Sequence, residues 1–195
     1  MQAEAWLAAR GIGRDRAPTQ RQAPIFTEPG PDLEDRIAGA TAYARRVSAQ
    51  APRSEQRLWE ALTRRGYPDV TVEAALERCR SEGTVDDRAL AGALVEEGRR
   101  KGHATRRIQA DLVKRGLPPE IIAGALASFA DRDPEAAAFS IAAARAARLR
   151  GVDAYTAYRR VVGYLARRGH DEGLARKVAR QVVFNDREAQ RVAER

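Results

Sequence analysis

A single cysteine, Cys79, occurs in the 195 residues, so no intrachain disulfide is possible. It falls on the apolar phase of a helical stretch beside Ala75 and Leu76, which predicts a buried structural thiol rather than a nucleophile. Histidine is almost as scarce, with only His103 and His170. Two separated histidines and one cysteine offer no zinc-ligand spacing, and neither a metal nor a cofactor is expected. Each histidine follows a helix-ending glycine, Gly102 or Gly169, where an imidazole serves a helix C-terminus more readily than catalysis. No Gly-x-x-x-x-Gly-Lys-Ser/Thr loop occurs, and Gly11-Ile12-Gly13 lacks both the third glycine and a preceding strand. Asp86 and Asp87 are adjacent, but neighbours on a helix point about 100° apart, which suits first-turn electrostatics and not a shared metal or proton. Nothing left over assembles an active site, so a binding protein is expected and not an enzyme. No apolar run of about 18 residues and no secretory segment is found, so no membrane partner is expected and the cytoplasm is the expected location.

Strand-like alternation is missing as well, apart from the short Val70-Thr71-Val72, so the expected class is all-α. Aromatics make up only 6% of a chain that is 44% hydrophobic, which leaves Ala, Leu and Val to supply most of the core. What is abundant is repetition. The phrase Leu58-x-x-x-Leu62-x-x-Arg65-Gly66 recurs as Ile108-x-x-x-Leu112-x-x-Arg115-Gly116 and as Val161-x-x-x-Leu165-x-x-Arg168-Gly169. The three glycines stand 50 and 53 residues apart. Self-similarity at a fixed period marks one supersecondary unit used repeatedly, with stacked units burying a shared core and leaving a long surface for a large partner.

Residues 1–33 lie outside this pattern. Trp6, Leu7, Ile12, Ile25 and Phe26 are scattered without a period and Pro18, Pro24, Pro29 and Pro31 interrupt them, which predicts a flexible arm. Three repeats of three helices follow, at 34–83, 84–132 and 133–184, and a charged tail at 185–195. In the first, Ile37, Ala40, Ala44 and Val47 stripe a helix near 33–49. Ser54 caps a second near 55–65, Gly66 ends it, and Pro68 fits the first turn of a third carrying Val72, Leu76 and Cys79. In the second, Thr84-x-x-Asp87 resembles a capping box, Leu90, Ala93 and Leu94 pattern the first helix, and Gly102 and Gly116 end the first two. Pro118 and Pro119 start its last helix, with Ile121, Ile122, Ala125, Leu126 and Phe129 inward. In the third, Asp133-Pro134-Glu135 opens a helix striped by Phe139, Ala142, Ala146 and Leu149. Asp153 caps the next helix, with Tyr158, Val161, Val162 and Leu165, and Leu174, Val178 and Val182 pattern the last.

Charge is distributed in blocks. The formal net charge is +8 and the pI about 10.3, a balance that suits nucleic acid or an acidic protein. Acids predominate from Glu73 to Glu97. Then come Arg99, Arg100, Lys101, Arg106, Arg107, Lys114 and Arg115 against Asp111 alone, and Arg145, Arg148, Arg150, Arg159, Arg160, Arg167 and Arg168 against Asp153 alone. Arg106-Arg107 and Arg159-Arg160 hold matching places in the second and third repeats, so regular stacking would align them in a basic stripe suited to a phosphate backbone or an acidic groove. No aromatic-rich basic surface is expected: Tyr155, Tyr158 and Tyr164 lie near the third block, but Tyr158 falls on the apolar phase.

Val85-Asp86-Asp87-x-x-Leu90-Ala91, then Arg99-Arg100-Lys101-Gly102-His103, then Arg107-Ile108-x-x-x-Leu112-x-x-Arg115-Gly116-Leu117 resembles the central signature of the bacterial RecX regulatory proteins. Its marks here are Asp86, Asp87, Leu90, Gly102, Ile108, Leu112 and Gly116. Leu90 stands where the family usually has Phe, and Gly98 where an Arg is common. The resemblance covers residues 34–184. It implies three tandem three-helix units in an elongated, curved, solenoid-like array, and a non-enzymatic modulator of the RecA recombinase. Such a protein binds the groove of the RecA–DNA filament, blocks extension or promotes disassembly, and so lowers ATP hydrolysis, strand exchange and SOS induction. It implies a RecA filament as partner, with weak, nonspecific contact with single- and double-stranded DNA; a monomer is expected because a self-capping repeat array need not oligomerise. The alternatives are a standalone basic DNA-binding protein and a helical interaction scaffold. The basic residues, with Arg145 and Arg148 included, are the expected contacts on grounds of charge. Reversing Arg106, Arg107, Arg159 and Arg160 to Glu is expected to weaken filament binding and flatten its salt dependence; inhibition at wild-type level would remove these four from the interface.

Overall fold

The structure, a computed structural model, describes residues 31–127 and 133–185. The expected arm up to residue 30, the inward position given to Phe129, and the charged tail from residue 186 lie outside the described residues. Nine α-helices are described: α1 (Pro31–Gln50), α2 (Glu55–Arg64), α3 (Asp69–Ser81), α4 (Asp87–Arg100), α5 (Thr105–Lys114), α6 (Pro119–Ala127), α7 (Pro134–Ala147), α8 (Ala154–Arg167) and α9 (Glu172–Arg180). Gln181–Asn185 continues α9 as a π-helical turn. No strand occurs among the described residues, and Val70-Thr71-Val72 lies inside α3. Pro31, placed in the arm by its proline content, instead opens α1, where the missing N–H costs no helical hydrogen bond.

Residues 31–51 with 58–84 form one compact unit, and residues 52–57 with those from Val85 onward form another. In the first, α1 lies along α3, burying Ile37, Ala40 and Ala44 together with Val72, Ala75, Leu76 and Cys79. Leu58 and Leu62 of α2 are fully buried. Cys79 is a free, buried thiol, and burial pushes its pKa up. Pro68 is the N-cap of α3, one position outside the first turn expected for it, because its ψ of 151° is extended. Arg78 pairs with Glu34 at 2.5 Å, and Arg45 Nε donates to Glu82 at 2.8 Å. Such exposed pairs contribute little.

The second unit holds two three-helix bundles. In one, α4, α5 and α6 close around Leu90, Ala91, Val95, Ile108, Leu112, Leu117 and Ile122. In the other, α7, α8 and α9 close around Ala138, Ala142, Leu149, Ala157, Val161, Leu165, Ala175, Val178 and Ala179, with Val182 and Val183 of the π-turn. Several expected positions shift. Asp86, not Thr84, caps α4, its carboxylate accepting from Ala89 N at 2.9 Å, because the helix starts two residues later than a Thr84 cap requires. Ala93 is exposed, and Ala91 and Val95 are inside. Phe139 is 44% exposed while Ala138 and Ala142 are fully buried, since α7 meets its neighbours through alanines that let the helices approach closely. Gly98 has a packing reason: a Cβ there would lie 2.7 Å from Ile108 Cγ1, so any side chain, Arg included, would have to displace Ile108 between α4 and α5.

Hydrogen bonds join the successive segments of this unit. Gly116 and Gly169 take φ of 76° and 84° just past α5 and α8, as does Gly66 after α2 at 86°. Behind each, two amides fold back on the helix end, Leu117 N on Leu112 O and Gly116 N on Val113 O, and likewise His170 N on Leu165 O and Gly169 N on Ala166 O. The next carbonyls point outward and are taken up. Ser54 Oγ donates to Arg115 O at 2.6 Å and Arg57 Nη2 to Lys114 O at 2.7 Å. One repeat later, Ala104 N donates to Arg168 O at 2.9 Å. At each joint the residue before a second helix meets the end of the following second helix.

At Gly169 an added Cβ would lie 2.6 Å from Arg107 Cβ, and at Gly66 it would meet nothing within 4 Å. Gly66→Ala is therefore expected to cost about 1–2 kcal/mol from the left-handed backbone alone. Gly169→Ala is expected to cost clearly more. Amide hydrogen exchange at the flanking helix ends reads both; equal losses would mean that Arg107 does not press on Gly169.

Candidate functional site

The expected contact residues divide into two groups. Arg99 pairs with Glu96 at 2.6 Å, Lys101 pairs with Glu97, and Arg107 Nε donates to Asp111 at 3.1 Å. Arg168 is turned inward along the joint: its Nε donates to Lys101 O at 3.0 Å and its guanidinium lies 3.6 Å from the centre of the Tyr164 ring. These four are engaged within the molecule. Arg100, Arg106, Lys114, Arg115, Arg148, Arg159, Arg160 and Arg167 pair with no carboxylate among the described residues. Arg106 and Arg159 match in sequence and are both exposed, whereas Arg107 and Arg160 differ, because only Arg107 has an aspartate one turn on.

The third repeat gathers its free arginines. Arg145 of α7 and Arg159, Arg160 and Arg167 of α8 line a cleft of about 500 Å³ with Thr156 and Gly163. No acid is among these residues. Arg145 Nε is buried there with no hydrogen-bond partner, and its guanidinium lies 5.3 Å from the Tyr164 ring centre. Four guanidinium groups held together without counter-charges concentrate a positive potential able to hold an anion with several oxygens.

The family-signature residues serve the frame. Asp86 caps α4, and Asp87, only 8% exposed, accepts Glu55 N at 3.0 Å. Leu90, Ile108 and Leu112 are core, and Gly102 and Gly116 turn helix ends. Among the described residues no three His, Cys, Asp or Glu form a group able to hold a metal ion.

One surface was not anticipated from the sequence. Tyr155 is 66% exposed and Phe184 40%. Tyr155 stacks on Tyr158 with ring centres 6.5 Å apart, and Tyr158 meets Phe184 at 6.1 Å. Tyr158 packs against the core of its bundle, as its apolar phase predicts, and its ring also links these two exposed rings. The available signal was the i, i+3 spacing of Tyr155 and Tyr158 on one helix.

His170 serves a helix end other than the one it follows: its Nε2 donates to Gly102 O at 3.1 Å, past the end of α4. His103 Nδ1 lies 3.9 Å from Asp111. Burial holds both imidazoles below their ordinary pKa. The Gly102 bond opposes this at His170 and Asp111 opposes it at His103, while neighbouring cations add to it. Below about pH 6.5 the unfolded chain therefore binds more protons at these sites than the folded one. Their contribution to stability is complete above that pH and declines as pH falls toward the lowered folded values. The melting temperature is expected to drop between pH 7 and 5, and His170→Gln, which does not titrate, is expected to shrink the drop; an identical pH profile in the variant would exclude His170 as a source.

The sequence matches the family model of the first RecX three-helix domain over residues 49–79 and that of the second RecX three-helix domain over residues 86–126. It is 36% identical over 168 residues to the regulatory protein RecX of Thermobifida fusca, covering 86% of this chain and 90% of that protein. The regulatory protein RecX of Streptomyces coelicolor is 32% identical over 162 residues, covering 83% and 86%. In fold, the crystal structure of RecX from Lactobacillus salivarius superposes with a TM-score of 0.61 at 14% identity, over 76% of this chain and 97% of that one. Identity above 30% across most of such relatives, on the same arrangement of helices, means that this chain belongs to the RecX family of regulatory proteins.

Proposed function

We propose that the chain is a non-enzymatic modulator of the RecA recombinase, acting as a monomer in the cytoplasm. It binds along the groove of the RecA–DNA filament and inhibits, by blocking extension or promoting disassembly. The observation that carries this reading is family membership, and the charge on the second and third repeats supports it. Arg100, Arg106, Lys114, Arg115, Arg148, Arg159, Arg160 and Arg167 make no ion pair with a carboxylate among the described residues, and a nucleoprotein filament supplies phosphates and carboxylates along its length. Several weak contacts on linked repeats reinforce one another through effective concentration. Arg99, Lys101, Arg107 and Arg168 contribute less, because each already has a partner within the molecule.

Single-stranded-DNA-dependent ATP hydrolysis by the cognate RecA, with this protein well below stoichiometry, tests the reading. Hydrolysis is expected to fall. Replacing Arg106, Arg159, Arg160 and Arg167 by Ala is expected to weaken inhibition more than replacing Arg99, Lys101 and Arg107. Unchanged hydrolysis with tight, salt-sensitive binding to naked DNA would assign the chain to a standalone basic DNA-binding protein instead; unchanged hydrolysis without DNA binding would leave an interaction scaffold.

A further inference from the structure

The second and third repeats, both within the second compact unit, enclose a cavity of about 500 Å³ where they join. One wall is α7. Pro134, Ala137, Ile141 and Ala144 line it and recur every three or four residues, so they form an aliphatic stripe about three turns and about 15 Å long. Pro134, Ala137 and Ala144 are exposed, and Ile141 is half-buried. The other wall is the end of α4 and the start of α5, and it brings Arg99, Arg100 and Lys101. The two walls meet at Gly102, where an added Cβ would lie 2.6 Å from Ile141 Cδ1, so the isoleucine closes directly on the turn. No acid is among the residues lining the cavity. Arg99 and Lys101 hold Glu96 and Glu97, whereas Arg100 pairs with no carboxylate among the described residues.

We propose that this cavity is a docking site for an acidic amphipathic helix of a protein partner, with the apolar face of that helix on the α7 stripe and its carboxylates on the cationic rim. The two walls ask for the two faces of such a helix. A stripe of apolar residues at helical spacing takes the apolar side chains of a second helix, and alanine at 137 and 144 lets the backbones approach closely. On the rim, Arg100 gains the carboxylate it lacks, and a guanidinium group receives a carboxylate through paired hydrogen bonds. Thr105 and Ser140 add hydroxyl groups to the lining for polar side chains at the edge. A basic or neutral helix would leave Arg100 without a counter-charge. A polynucleotide would satisfy the cations and leave the aliphatic stripe in water, and Tyr164 in the lining already carries the Arg168 guanidinium 3.6 Å from its ring centre. The inference concerns the protein and one helix, without DNA or recombinase, so it and the recombinase reading can fail separately.

Fluorescence anisotropy of the full chain with a labelled designed peptide tests this. The probe is a helix of about 15 residues with leucine and alanine on one face and glutamate on the other, and its control carries glutamine for every glutamate. The wild-type chain is expected to bind the glutamate peptide about fivefold or more tightly than the glutamine peptide. Ala137→Glu with Ala144→Glu sets like charge into the stripe and is expected to weaken binding about tenfold or more. Arg100→Glu is expected to remove most of the preference for glutamate. Arg159→Ala with Arg160→Ala, in the separate cleft of the third repeat, is expected to leave peptide binding unchanged. The substituted side chains are all exposed, so folding is not at issue, and circular dichroism checks it. Equal affinity for the two peptides, wild-type binding by the Ala137→Glu, Ala144→Glu variant, or an equal loss in the cleft variant would each overturn the proposal. Self-association that the Ala137→Glu, Ala144→Glu variant abolishes, read by sedimentation, would give the cavity to a second copy of this chain and overturn it as well.

Discussion

The last carbonyls of an α-helix have no partner inside the helix, and how they are satisfied governs the second unit of this protein. A glycine with positive φ turns the chain away after α5 and after α8, and this leaves Lys114, Arg115 and Arg168 with carbonyls pointing outward. Each is met by the residues that begin a second helix one repeat earlier: Ser54 and Arg57 at the first joint, Ala104 at the second. Arg168 and His170 return the favour to Lys101 and Gly102 at the end of α4. Buried backbone groups without partners are costly, so these joints set the register in which one segment follows another. Gly169 belongs to the joint twice, through its backbone angle and because Arg107 occupies the space a side chain would need.

With the helix ends committed to joints, interaction with other molecules is left to the helix faces. The motif by which the family is recognised does not lie on those faces. Asp86 caps, Asp87 holds the Glu55 amide, Leu90, Ile108 and Leu112 fill a core, and Gly102 and Gly116 turn the chain. It is a description of the frame. Charge shows a similar division, since intramolecular partners occupy Arg99, Lys101, Arg107 and Arg168 and leave the neighbouring basic residues outward. The third repeat is the most concentrated case, with four arginines around one cleft.

Much of this was legible beforehand. The recurring Leu/Ile/Val-x-x-x-Leu-x-x-Arg-Gly phrase placed Leu58, Leu62, Ile108, Leu112, Val161 and Leu165 in cores, and all are buried. Asp133 and Asp153 cap the helices expected of them. Misplacements fell where local rules compete. Thr84 and Asp86 are both good caps, and the packing of α4 selects the second. In α7 alanines sit on every face, so the periodic signal is weak and favours Phe139 inward; helix contact through Ala138 and Ala142 decides otherwise.

Helix content, the three turns at Gly66, Gly116 and Gly169, the buried cysteine and the basic surplus follow from the sequence by itself, because each depends on residues within a few positions of one another or on composition alone. Tertiary structure alone decided which arginines are spoken for, why Gly98 has no side chain, that His170 serves α4 instead of its own helix, and that Arg145 closes a cleft with residues of the next helix. Those facts depend on atoms brought together from distant points of the chain, such as Arg168 and Lys101, and the pattern of a single helix carries no record of its neighbour.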